Sequence, residues 1–199
     1  MKKFLILLFI LSVAFTRSHA QELVPDAQFS TLIGFLNEEN WPEAAKLSEA
    51  ILKKIPGNKQ DDDAPAVIRY MHIISEAGLK YMGKLTKTEA LKNVSGYIGH
   101  TIFSPSRYTS LKYGLNRIVS SDNKTDTLAS SCTNRKGTDL YTSESIVPAH
   151  PVTIDEFKSY DGKLFRIGGV LKSISVTGNM MPHFNIVIDK AILEPGDKQ

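Results

Sequence analysis

Five histidines, one cysteine and a run of three aspartates are the side chains with the most obvious chemistry in this 199-residue sequence. His72, His100, His150 and His183 lie far apart, and none has a second histidine or cysteine at helical or turn spacing, so no metal motif is present. Asp61-Asp62-Asp63 lacks the glycine and downstream glutamate of a calcium loop and reads as a solvated linker and helix cap. No serine sits in a nucleophile elbow. Cys132 would need an electropositive, partly exposed setting to act as a thiolate. Arg135 and Lys136 are its nearest cations in sequence, but they fall in a predicted hairpin loop. Cys132 therefore reads as a small buried hydrophobe. Gly168-Gly169 is followed by neither a lysine-serine pair nor a helix start, so it reads as a bend and not as a phosphate cradle. The expectation is no catalytic residue, no metal and no cofactor.

Binding residues are a different matter. Met180-Met181-Pro182-His183-Phe184 places two flexible thioethers and an aromatic ring around a turn, which suits an adaptable contact surface. Tyr97, His100 and Tyr108, near the midpoint of the chain, form a second candidate surface.

Elements must position these side chains, and the first segment has another role. Met1-Lys2-Lys3, an apolar run from Phe4 to Phe15 and the small-x-small exit Ser18-His19-Ala20 describe a secretory signal peptide. No cysteine follows a cut after Ala20, so a lipoprotein anchor is not expected. The whole chain carries 24 basic and 21 acidic residues, a net charge of +3. Lys2, Lys3 and Arg17 account for that excess, so residues 21–199 are formally neutral and a nucleic-acid partner is not expected. A single cysteine excludes an intramolecular disulfide. A bacterial periplasm, cell surface or extracellular setting fits best. There, the sequons Asn93-Val94-Ser95 and Asn123-Lys124-Thr125 read as chance matches.

From Ala27, apolar residues recur at helical spacing to Leu36 and, after Pro42, from Ala44 to Ile55. Pro56-Gly57-Asn58 stops the second helix. A third helix is predicted from Ala64-Pro65 through Tyr81, and a fourth after Thr86, whose spacing to Glu89 is that of a capping box. With Phe35 at the large position, Ala44 and Ala90 at the small ones, Gly78 and Tyr81 at their usual spacing and Pro56 terminal, the stretch from Ala27 to Ile102 resembles a degenerate pair of tetratricopeptide repeats. Gln28, Thr31, Leu32 and Ser48 depart from that pattern. The resemblance implies binding of a protein or peptide on a concave helical face.

Beyond Ser104-Pro105 the texture changes to strands. Thr125 to Thr133 and Thr138 to Val147 predict a hairpin around Asn134-Arg135-Lys136-Gly137. Ile154 to Tyr160 predicts a helical turn. Lys163 to Val176 has apolar residues on both parities and predicts a central or curved strand bent at Gly168-Gly169. Phe184 to Leu193 predicts the last strand. The Tyr160-Asp161-Gly162-Lys163 and Ile167-Gly168-Gly169-Val170 stretches resemble the opening strand of some OB-like barrels over about a dozen residues.

The expected architecture is α+β. A signal peptide (1–20) precedes a helical unit (21–104), which packs on a small antiparallel β unit (105–194) with a polar tail (195–199). The expected function is noncatalytic binding of a protein or peptide partner in the cell envelope, with no membrane span once the leader is removed. Two alternatives stand beside it: a hydrolase or thiol enzyme with a dispersed site, and a module binding a small ligand or an oligosaccharide through Tyr or Trp.

Overall fold

The computed structural model describes residues 23–121, 124–178 and 181–196. The predicted leader, Met180, the residues at 122–123 and the extreme C-terminal tail lie outside the described residues. Among the described residues, no helix is long and apolar enough to cross a membrane.

The helices form where their periodicity places them: α1 Asp26–Asn37, α2 Trp41–Lys54, α3 Asp63–Tyr81 and α4 Lys87–Val94. Proline stands in the first turn of α2, where its missing N–H costs nothing. The capping box of α4 is formed on both sides: the Glu89 backbone N–H donates to Thr86 Oγ1 at 3.2 Å, and the Thr86 N–H donates to Glu89 Oε2 at 2.8 Å. A short turn with Glu39 at φ 56° reverses the chain between α1 and α2.

Helix α3 is buried along most of its length, from Ala66, Ile68 and Tyr70 to Ile74 and Ala77. Such a helix has neighbours on every side, and α3 packs against α2, α4 and the first strand. Gly78 lets Trp41 lie on its backbone, since a Cβ there would sit 2.3 Å from the indole ring. The same indole meets Tyr141 edge-on at 4.9 Å, tying α2 to the strands.

Seven strands follow: β1 Thr101–Phe103, β2 Arg107–Ser110, β3 Arg117–Ser121, β4 Lys124–Thr133, β5 Leu140–Pro148, β6 Leu164–Thr177 and β7 His183–Pro195, with a short helix α5 Ile154–Ser159 before β6. Their neighbours run β6-β2-β3-β4-β5-β7, and β7 pairs back onto β6, so six strands close into a ring. β1 lies along the same edge of β6 as β2, opposite Gly168 to Val170. The α+β class holds, but the sheet is mixed where an antiparallel one was expected. β2–β3 and β5–β7 are parallel. β5 reaches β7 only after α5 and β6, a crossover long enough for parallel pairing.

The bend in β6 falls at the expected place. The β6–β7 register shifts between Gly168 and Val170 and again between Leu171 and Ser173. The core-facing parity therefore changes along the strand, from Phe165, Ile167 and Leu171 to Val176. Gly168 is covered by Phe103, whose ring leaves no room for a Cβ.

One core runs from Trp41, Tyr70 and Ile73 through Ile118, Leu128, Ile146, Ile186 and Ile188. It crosses the expected junction at residue 104 without a break. A smaller cluster of Val24, Leu32, Ala44, Ile51, Ile55 and Ile68 holds α1 and α2 to α3.

Candidate functional site

Two groups of polar side chains are sealed inside the molecule. The first sits between α3 and the strand ring. Arg107 on β2 donates to both oxygens of Glu144 on β5, to Ser130 Oγ at 2.6 Å and to the Tyr70 hydroxyl. Tyr70 in turn donates to Glu144 Oε1 at 2.5 Å, and Thr142 Oγ1 donates to the same oxygen at 3.0 Å. All of these side chains are buried. Burial works against both charges, but Arg107 holds the Glu144 carboxyl below its ordinary range, and Glu144 holds the guanidinium above its own. Every partner is satisfied, which is the condition for keeping charges in a core.

Cys132 borders this cluster. Burial pushes its thiol up to about 11, more than Arg107 pulls it down. Among the described residues, its one hydrogen-bond partner is the Thr133 carbonyl and no histidine pairs with it. A thiol held protonated, with no base beside it, is not a nucleophile. The thiol-enzyme alternative therefore has no geometry to support it.

The second group lies among the helices. Ser48 Oγ is 2.9 Å from His72 Nδ1, and His72 Nε2 is 3.7 Å from Glu76 Oε1, while Asn93 Nδ2 donates to Glu76 Oε2 at 2.8 Å. The order serine, histidine, carboxylate matches that of a hydrolase triad. Ser48, however, is 0% exposed and donates into its own helix, to the Ala44 carbonyl at 2.7 Å. No acyl substrate reaches it. Sequence reading missed Glu76 because its spacing to His72 is an ordinary helical one, and Ser48 comes from another helix.

This group titrates. Burial pushes His72 down to about 4 from its ordinary 6.5. The unfolded chain therefore takes up this proton first as the pH falls. Stability held at His72 is complete above pH 6.5 and drains between 6.5 and 4, by about 3 kcal/mol. Glu76 acts the other way: burial raises its carboxyl, so its share is fullest in acid and is lost as the pH rises past the ordinary carboxylate value. In urea unfolding at pH 7 and pH 4, His72→Gln is expected to remove about 3 kcal/mol of the acid loss. An identical acid loss in the variant would refute this account of His72.

The predicted binding residues separate in space. Tyr97 is half-buried, edge-on to His72 at 5.7 Å, and packs against both cores. His100 Nδ1 lies 3.1 Å from Asp61 Oδ1, which also accepts the Thr101 N–H at 3.1 Å. Asp61 thus latches the linker before α3 onto β1. Tyr108 is exposed on β2, with Leu164 and Arg117 as strand neighbours, apart from the other two. Met181 is exposed, and His183 Nδ1 lies 3.1 Å from the Met181 carbonyl. Phe184 corrects the expectation: it is fully buried, because neighbouring residues of β7 face opposite sides and Phe184 points into the ring.

Two surface features remain. A groove of about 450 Å³ opens between the end of α3, the start of α4 and the β6–β7 turn, lined by Lys80, Lys87, Val176, Thr177, Gly178 and Pro182. At the other end of β6, the end of β2 and its connection to β3 expose Tyr108, Leu111, Tyr113 and Leu115. Among the described residues, no three His, Cys, Asp or Glu side chains gather as a metal site would require. Comparison with protein-family models, with curated proteins and with solved structures gave no match.

Proposed function

We propose that this chain is a noncatalytic exported protein that binds a protein or peptide partner in the cell envelope, through the groove beside the β6–β7 turn. The observation that carries this reading is the lining of that groove. Lys80 and Lys87 face it from the helices, and Val176, Thr177 and Pro182 face it from the strands. The exposed thioether of Met181 stands in the same turn. A mixed cationic and apolar lining with a flexible methionine suits an acidic peptide segment. The sealed state of Ser48, His72 and Glu144, and a Cys132 thiol that burial holds protonated, support a noncatalytic role.

The repeat-like reading of the helical half rests on the sequence resemblance, and the burial of Ala44 and Ala90 at the small positions is compatible with it. The face of α3 that would receive a peptide in such a repeat is filled by β1 and β5, so the binding surface lies elsewhere. The stretch that resembles the opening strand of an OB-like barrel forms β6, the penultimate strand of a six-stranded ring, so the OB-like reading rests on that short resemblance alone. Trp41 and Tyr141 are both buried in the core, so they offer no stacking platform to an oligosaccharide.

The test is affinity capture from the native envelope with wild type and with Lys80→Glu/Lys87→Glu. The wild type is expected to retain a reproducible partner, and the double charge reversal to reduce its recovery by about tenfold or more, since each rim charge steers association. Equal recovery by both proteins, or no reproducible partner for the wild type, would overturn the reading.

A further inference from the structure

The connection from β2 to β3 has no role in that groove. It sits at the opposite end of β6: β2 pairs with Leu164 and Phe165, whereas the groove is lined by Val176 to Gly178. Along a strand the separation is roughly 40 Å. Within eight residues, the end of β2 and the connection expose Tyr108, Leu111, Tyr113 and Leu115. Tyr113 is 87% exposed, so this is a projecting tip and not a pocket. Its shape is fixed: Asn116 holds φ 56°, its N–H donates to Ser131 Oγ at 3.0 Å, and its side chain exchanges hydrogen bonds with Thr133. The Leu111 N–H donates to Asp161 Oδ1 at 3.0 Å.

Cations surround the tip. Lys112 lies within it, the Arg117 side chain folds against Gly114, and the Lys163 backbone is bonded to Thr109. All three side chains are exposed, and among the described residues none of them has a carboxylate partner. Of the nearby acids, Asp155 pairs with Lys158, whereas Glu156 and Asp161 accept from the neutral Tyr160 hydroxyl and Leu111 N–H and keep their charge, so the three cations exceed them by one.

We infer that this tip rests on an anionic lipid surface. Tyrosine rings partition to the headgroup level, leucines reach the acyl boundary beneath it, and lysine and arginine stay with the phosphates. A convex tip finds no groove of its own, and a deformable sheet of negative headgroups supplies both the apolar depth and the charge it matches. The protein would then lie on the membrane by one end of β6 and present its groove at the other.

Vesicle co-sedimentation tests this with protein exported through its own leader. Binding is read as the ratio of wild type to variant, so that any contribution of the first twenty residues cancels. Wild type is expected to sediment with mixed phosphatidylglycerol–phosphatidylcholine vesicles, and far less with pure phosphatidylcholine or in high salt. Leu111→Ser/Tyr113→Ser should bind the mixed vesicles about tenfold more weakly, because affinity follows buried apolar area. Lys112→Gln and Lys163→Gln, conservative surface changes, should each cost about fivefold. Absence of wild-type binding, equal binding to both vesicle types, or unaltered binding by the serine variant would each overturn the inference. None of these results bears on the Lys80 and Lys87 groove.

Discussion

Arg107→Met is expected to destabilise the protein by about 3–5 kcal/mol, the cost of leaving a buried carboxylate without its counter-charge. Glu144 would keep only the Tyr70 and Thr142 hydroxyls, which cannot replace a guanidinium that touches both of its oxygens. At about 2–4 °C per kcal/mol for a chain of this size, the thermal midpoint should fall by roughly 6–20 °C. The informative comparison is the double variant Arg107→Met/Glu144→Met. With both charges gone the core holds apolar side chains of similar length, and most of the loss should be recovered. A cycle in which the two single losses simply add would show that the pair contributes nothing as a pair. Glu144 is held from three elements, α3, β2 and β5, so the destabilised single variant should lose the junction of helices and strands together with the ring itself.

Trp41→Ala is the second large effect, at about 3–5 kcal/mol for removing a buried indole. The indole does two things at once. It covers the backbone of α3 at Gly78, and its edge meets Tyr141, which Tyr81 contacts from the other side at 5.7 Å. The cavity would open at the seam between α2 and the strand ring. A methyl group at Gly78 clashes in the wild type but would have space in the alanine background. Gly78→Ala should therefore destabilise the wild type and cost much less, or stabilise, alongside Trp41→Ala, since alanine is the better helix former. Denaturation midpoints of the four proteins measure this. An equal penalty for Gly78→Ala in both backgrounds would show that the indole is not what the glycine accommodates.

Local signals carried much of the architecture. Apolar periodicity located four helices, Thr86 and Glu89 marked one boundary, and the polar loop at Asn134 marked the hairpin of β4 and β5. Gly168-Gly169 announced the bend of β6. Long-range decisions left no such trace. Parallel pairing of β5 with β7 and closure of β7 onto β6 depend on which edges meet, and no local residue type encodes that. Thr142 and Glu144 are polar residues in a Thr- and Ser-rich segment with nothing local to mark them as interior, yet they share the inward parity of Ile146. The partner of Glu144, Arg107, is 37 residues away in sequence. Phe184 misled for the opposite reason. Its neighbours at the turn are exposed, and only the register of β7 turns its ring inward.

β6 pairs with β1 and β2 along one edge and with β7 along the other, so the last two strands are the clasp of the whole structure. Everything N-terminal to Leu164 has open edges until they arrive. Closing the ring therefore depends on non-local pairing, which is slow to form. A polypeptide threaded N-terminus first through a narrow passage could not close its ring until β6 and β7 had passed.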